Sequence, residues 1–217
     1  GNEAVIRNIW EPFKEMFEKA CPSLDIEPAE ISWDYVYSRE KLATLKGKKL
    51  HGKRNHINKF IQEQPDYEYM KLEPSMYDEC IGVYDEWRAD KGLSENEFSN
   101  ERRSVVLAIR NMEALGLTGG VIKLDGKIKA FTIGERLRKD IQLIHIEKAD
   151  ADINGLFPMI NQQYVLHECQ DVEYINREED MGIEGMRKAK RSYCPDYMVK
   201  KYFAAKGKLT RQELSVE

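Results

Sequence analysis

The sequence predicts an α/β (α+β) protein with a mixed, mostly antiparallel sheet and helices on both faces. Three observations carry this. From residue 66 onward, helical and strand-like spacing of apolar residues alternate. The order is strand, two helices, three antiparallel strands, helix, strand, helix, strand, a mixture that packs as a sheet covered by helices. Asp125-Gly126 separates two β-rich runs and favours a tight two-residue hairpin. The run from Asp140 to Glu147 is apolar on both faces through Ile141, Leu143, Ile144 and Ile146. It therefore reads as a central strand covered on both sides.

The elements follow in order. Val5 to Ala20 reads as a helix, because Ile6, Ile9, Trp10, Phe13, Met16 and Phe17 recur at helical spacing. Cys21-Pro22-Ser23 ends it. Ile31 to Tyr37 is aromatic and β-branched, hence a strand. A long helix is expected from Leu45 to Gln64, with Leu50, Ile57 and Ile61 as its apolar stripe and Pro65 as its stop. Tyr67 to Leu72 is a strand. Pro74 to Lys91 is a helix with Pro74 in its first turn and Gly92 past its end. Ser94 with Glu97 forms a capping box for a helix through Leu115, closed by Gly116. Thr118 to Leu124 and Lys127 to Arg136 form the hairpin. Gly155 to Gln170 is a helix, Val172 to Asn176 a strand, Gly182 to Ser192 a helix and Met198 to Ala204 a last strand. The tail from Lys206 is polar and expected to fray.

Composition narrows the function classes. The 217 residues are 41% hydrophobic and 33% charged, with net charge -4, which fits a soluble chain with a packed core. No apolar run approaches the roughly 18 residues of a membrane span. The start, Gly1-Asn2-Glu3-Ala4, has neither an initiator Met nor a signal peptide; a trimmed chain or a piece of a longer protein is expected. Cys21, Cys80, Cys169 and Cys194 are far apart and form no CxxC pair, which fits reduced thiols in a cytoplasmic protein. His167 and Cys169 have no second pair to complete a zinc site, so no metal is expected. The lone histidines His51, His56, His145 and His167 form no triad.

The element order resembles the GNAT acyltransferase fold over about residues 66 to 204. Three stretches make the resemblance narrower: Leu42 to Lys49 with Lys53 to Phe60; Ile146-Glu147-Lys148-Ala149-Asp150 with Ile160-Asn161; and Asn176 to Gly182 with Lys188 to Pro195. Together they resemble a bacterial family related to the C-terminal domain of phosphatidylglycerol lysyltransferase. That resemblance implies two GNAT-like halves in tandem. Residues 1–45 would be the end of a first half, 46–65 a basic connecting helix, and 66–217 a complete GNAT-like domain. Named relatives transfer an amino acid from aminoacyl-tRNA to a membrane lipid. The implied activity is acyl or aminoacyl transfer, with aminoacyl-tRNA as donor and, in the absence of an apolar span, a small-molecule or peptide acceptor. Two alternatives stay open: an acetyl-CoA N-acetyltransferase, and a catalytically silent module that binds RNA or a protein.

Three regions carry candidate chemistry. Between Lys41 and Gln62 stand seven basic residues and no acid. Lys46, Lys49 and Lys53 share one helical stripe, and Lys48, Asn55 and Lys59 the next. Lys48, Lys53, Arg54 and Lys59 are therefore candidate phosphate contacts; the other reading is a solvated or interdomain face. The loop Ala149 to Gly155 follows the central strand. In GNAT enzymes that bind acetyl-CoA, the equivalent loop is glycine-rich and its amides cradle pyrophosphate. Here Asp150 and Asp152 oppose an anion, so acetyl-CoA is disfavoured and Asp152 or Asn154 reads as an ordinary N-cap. The third region is Asn176 to Gly182. Asn176, Arg177 and Glu178 are candidate substrate contacts, and Asp180 is either a helix cap or a general base, with like-charge crowding raising a carboxylate pKa. Glu147 is a second base candidate. Lys188 is a candidate anion contact and Tyr193 a candidate proton donor to a leaving group.

Overall fold

The computed structural model describes residues 5–90 and 99–207. Its elements in chain order are β1 (Ile6–Trp10), α1 (Lys14–Ala20), β2 (Asp25–Pro28), β3 (Asp34–Ser38), α2 (Arg39–Thr44), α3 (His51–Glu63), β4 (Glu68–Lys71), α4 (Tyr77–Asp90), α5 (Ser99–Arg110), β5 (Leu117–Leu124), β6 (Lys127–Arg138), β7 (Ile141–Ala149), α6 (Leu156–Glu168), β8 (Tyr174–Asn176), α7 (Glu184–Arg191), β9 (Tyr197–Val199) and β10 (Lys201–Ala205). The chain divides into two compact units: Ser38–Ile175, and Gly1–Tyr37 with Asn176–Glu217.

In the Ser38–Ile175 unit the strands run in the order β4-β5-β6-β7-β8. The β5–β6 hairpin turns through Asp125 at φ 50° and Gly126 at φ 75°, the left-handed pair that a two-residue turn requires. β4, β5, β6 and β7 pair antiparallel in sequence. The start of β8 bonds back to the Asp140 carbonyl, at the start of β7. β7 thus lies inside the sheet with a neighbour on each side, as its two-sided apolar pattern predicts. One face carries α4 and α5, whose Cys80, Val83, Tyr84, Val105 and Ile109 pack on Val121, Phe131, Ile133 and Ile146. Each such fully buried apolar side chain contributes about 1.5–3 kcal/mol. The other face carries α6, with Leu156, Met159, Ile160, Asn161, Tyr164 and Val165 buried. α2 and α3 pack on α6.

In the unit formed by the chain ends, β10 lies between β1 and β2, antiparallel to both, and β3 pairs antiparallel with β9. Several expectations are corrected here. Residues 5–20 do not form one helix. Asn8 takes φ 57° where the β1–β10 register shifts, and Pro12 opens a 3-10 turn before α1, so pairing with β10 overrides the helical spacing. The last strand is two, β9 and β10, in different sheets. β2 and α2 had no clear periodicity to announce them.

The basic helix starts at His51, not Leu45. Leu45 closes α2 in a left-handed conformation (φ 50°) and Lys48–Leu50 is a 3-10 turn. Lys46 to Lys49 therefore do not continue the stripes of α3. Its buried residues are Ile57 and Phe60; Ile61 is exposed. The capping box at Ser94 and Glu97 lies outside the described residues.

Candidate active site

Glu147 stands on β7 directly opposite Thr132 on β6, and Thr132 in turn opposes Gly120 on β5. Residues directly opposite in an antiparallel pair project to the same face. Here that is the face under α6, as Tyr69 shows: its hydroxyl stands 2.1 Å from where a Cβ on Gly120 would be, and its ring stacks on His167 of α6 at 4.8 Å. From α6, Asn161 Nδ2 donates to Glu147 Oε2 at 2.7 Å. Asn161 and Thr132 are fully buried, and Glu147 is half-buried. A carboxylate held by a buried amide at the middle of a sheet face is suited to bind and accept protons.

The loop from Asp150 to Gly155 follows. The expected side-chain cap at Asp152 or Asn154 is corrected: the N-cap of α6 is Gly155, at φ 83°, with no side-chain cap. Asp150 instead accepts from the Asp152 amide at 3.1 Å and pairs with Lys129 at 3.1 Å. Asn154 Oδ1 accepts from His56 Nδ1 at 3.0 Å. A Cβ on Gly155 would stand 2.3 Å from the His56 carbonyl oxygen. α3 is therefore seated on the start of α6, where a pyrophosphate would bind. Beside it a cleft of about 200 Å³ is lined by Val83, Glu86, Trp87, Lys129, Asp150 and Asp152, an acidic surface whose one lysine is already paired.

Asn176 to Gly182 lies in the other unit. Asn176 donates to Asp34 at 3.1 Å, and its Oδ1 accepts from the Glu178 amide at 2.8 Å. Asp34 pairs with Lys201 at 2.5 Å. Glu178 and Met181 have positive φ (56° and 51°). Lys190 Nζ holds the turn, donating to the carbonyls of Arg177 (2.6 Å), Glu178 (3.2 Å) and Glu179 (2.5 Å). Asp180 is 1% exposed. It takes Tyr35 Oη at 2.6 Å, Arg187 at 2.7 and 3.0 Å and the Gly182 amide at 2.8 Å. Burial pushes its carboxyl upward, but these donors outweigh burial and hold it below the ordinary range. A carboxylate held so firmly in its charged form is a weak proton acceptor. It does not cap α7 either, whose N-cap is Ile183. The raised carboxyl is that of Glu179, lifted first by burial and only secondarily by Glu178. Tyr193 is buried, with the Arg177 guanidinium 4.9 Å from its ring centre. Lys188 is exposed on α7.

Of the four candidate phosphate contacts, Lys48 and Lys59 are exposed and Lys53 and Arg54 half-buried. Arg54 departs from its predicted role, since it donates to the carbonyls of Leu45 and Gly47 and so closes the left-handed turn after α2. Thr132 and Asn161 carried no assigned role in the sequence. Asn161 left a trace, a lone amide within the apolar stripe of α6; Thr132, an ordinary strand former, left none.

The family model for the phosphatidylglycerol lysyltransferase C-terminal region matches residues 1–205. The chain belongs to this family. The match extends beyond residues 42 to 195, where the resemblance was legible. A crystal structure of a conserved protein of unknown function from Bacteroides thetaiotaomicron is 40% identical, with TM-score 0.88, covering 95% of this chain and 70% of that one. The fold is shared with two further solved structures. L-PGS from Bacillus licheniformis is 15% identical, with TM-score 0.70, over 98% of this chain and 70% of that one. The C-terminal domain of a candidate lysylphosphatidylglycerol synthetase from Agrobacterium fabrum is 17% identical, with TM-score 0.68, over 99% and 70%. An uncharacterised protein of Mycoplasmoides gallisepticum is 26% identical over 180 residues, 80% of this chain and 56% of its own length. The chain thus spans about half the length of that curated relative. No described helix of this family member is long and apolar enough to cross a membrane.

Proposed function

We propose that this family member is an aminoacyltransferase that draws on aminoacyl-tRNA rather than acetyl-CoA. The observation that carries this reading is the contact of α3 with the start of α6. The backbone of His56 lies against Gly155, and Asp150 and Asp152 flank the same loop. Pyrophosphate needs room and positive potential at that helix start; here the His56 carbonyl crowds Gly155 and two carboxylates flank the loop. The family supports aminoacyl transfer as the alternative.

In this reading an acceptor amine or hydroxyl of a small molecule or peptide attacks the aminoacyl ester carbonyl, and Glu147 accepts its proton. Asn161 orients Glu147. Asp180, with Arg187 and Lys190, shapes the 177–182 turn, where Asn176, Arg177, Glu178 and Lys188 are the proposed substrate contacts and Tyr193 supports Arg177. Lys48 and Lys59, together with Lys53, are the proposed tRNA contacts. A cytoplasmic setting fits the four free cysteines.

The test incubates the protein with tRNA carrying a radiolabelled amino acid and a panel of amine and alcohol acceptors. Label is expected in an acceptor with wild type, and Glu147→Gln is expected to lower the rate at least about 100-fold. Calorimetric titration with acetyl-CoA is expected to give no binding at micromolar concentration. Acetyl transfer from acetyl-CoA, or its tight binding, would overturn the donor assignment.

A further inference from the structure

Glu147 and Lys148 are adjacent on β7 and so project to opposite faces of the sheet. On the Lys148 face, the cleft of about 200 Å³ has walls of two kinds. Val83 and the half-buried indole of Trp87 supply apolar surface, and Glu86, Asp150 and Asp152 supply carboxylates around Lys129. The indole is fixed from behind. Lys148 Nζ lies 3.4 Å from its ring centre and is itself held by Glu101 at 3.0 Å. Lys148 does not line the cleft, so it occupies one ring face and leaves the rest of the ring as an apolar wall already in place. The charges are unevenly matched. Asp150 is paired with Lys129 at 3.1 Å. The side chains of Glu86 and Asp152 form no hydrogen bond or ion pair among the described residues, and both are exposed. The cleft is left with two negative charges. Carboxylates alone would be a solvated acidic face; the preformed cleft and its fixed indole are what make these a site.

We infer that this cleft binds a free alkyl diamine, with its ammonium groups on Glu86 and Asp152 and its methylene chain on Val83 and Trp87. An anion is repelled by the two unpaired carboxylates. Among the described residues no three His, Cys, Asp or Glu side chains stand close enough to hold a metal ion, so the charge is spread for something longer than a single ion. A ligand with one ammonium group satisfies one carboxylate and leaves the other. A short alkyl chain with an ammonium at each end meets both, and its methylenes replace water on the apolar wall. The ligand is free rather than joined to a nucleic acid, because phosphates beside it would face the same two carboxylates. The site lies on the other face of the sheet from Glu147, and it stands whether or not the protein transfers aminoacyl groups.

The test titrates 1,4-diaminobutane, n-butylamine, 1,4-butanediol and magnesium chloride, at constant ionic strength, into 15N-labelled wild type, Glu86→Gln, Asp152→Asn and Trp87→Phe. The indole N–H signal of Trp87, identified by its loss in Trp87→Phe, and the amides of residues 83–87 and 150–152 report binding. The diamine is expected to saturate these shifts in wild type, and n-butylamine to bind about two- to fivefold more weakly, the worth of one exposed ion pair. Butanediol and magnesium are expected not to saturate them. In Glu86→Gln and in Asp152→Asn the diamine is expected to lose that advantage and bind like the monoamine. Both side chains are exposed and stand on different elements, so either variant carries the test if the other fails to fold. No saturation by the diamine in wild type, equal affinity for diamine and monoamine, unchanged affinity in the carboxylate variants, or saturation by magnesium or butanediol would overturn the inference.

Discussion

Asp180 and Thr132 are both buried polar side chains, and their surroundings give them opposite roles. Asp180 has a donor for each lone pair that its turn presents, including a two-pronged arginine. Its folded pKa lies below the unfolded value near 3.8, so the ion pair contributes stability that is present above about pH 4 and is lost as pH falls through the folded value. Removing one partner of a buried pair costs about 3–5 kcal/mol. Arg187 is one-third exposed, which puts Asp180→Asn near the lower end, about 3 kcal/mol in urea unfolding at pH 7. The gap between variant and wild type should narrow as the pH drops below 4. A constant gap across that range would show that the charge is not what stabilises the turn. The Thr132 hydroxyl has no hydrogen-bond partner, and for that reason Thr132→Val is expected to leave stability in urea unfolding unchanged or raised.

At the scale of elements, the proposed donor rests on the α3–α6 contact, and Gly155 makes that contact possible. Gly155→Ala meets a backbone oxygen and a positive φ together. A left-handed non-glycine residue alone costs about 1–2 kcal/mol, so at least about 2 kcal/mol of destabilisation is expected by urea unfolding. The basic segment from Lys48 to Lys59 divides its cations by exposure. Arg54→Ala removes a charged donor from two carbonyls and is expected to cost about 1.5–3 kcal/mol. Replacing Lys48, Lys49 and Lys59 with alanine touches only exposed side chains and is expected to leave stability within about 0.5 kcal/mol. In a filter-binding salt series with tRNA, the triple variant should bind more weakly and lose about one unit of salt slope per phosphate contact removed. Unchanged affinity would leave Lys48, Lys49 and Lys59 as solvated side chains with no part in tRNA binding.

At the scale of the molecule, the chain leaves the end unit after Tyr37 and returns to it at Asn176. β10 is the middle strand of the three-stranded sheet there. A chain ending at Val199 lacks it, leaving β1 and β2 without their partner. Fast hydrogen exchange of amides in β1 and β2 is the expected outcome, and retained protection would show that the two strands find other partners.

The sequence by itself determined the alternation of elements from residue 66, the Asp125-Gly126 hairpin and the interior place of β7. Each rests on local periodicity or turn chemistry, which neighbouring residues specify without help. It also marked Glu147 and the acidic loop, because unusual residue types at a strand end are visible in one dimension. Only the tertiary structure decided that residues 6–10 are a strand, since β10 supplies their hydrogen bonds from almost 200 residues away. Only it turned Arg54 from a candidate phosphate contact into a backbone clamp, gave Asp180 its arginine, and set Thr132 beside Glu147 without a partner. Hydrogen-bond partnership across strands and helices depends on register and packing, and neither is encoded in the spacing of residues along a single element.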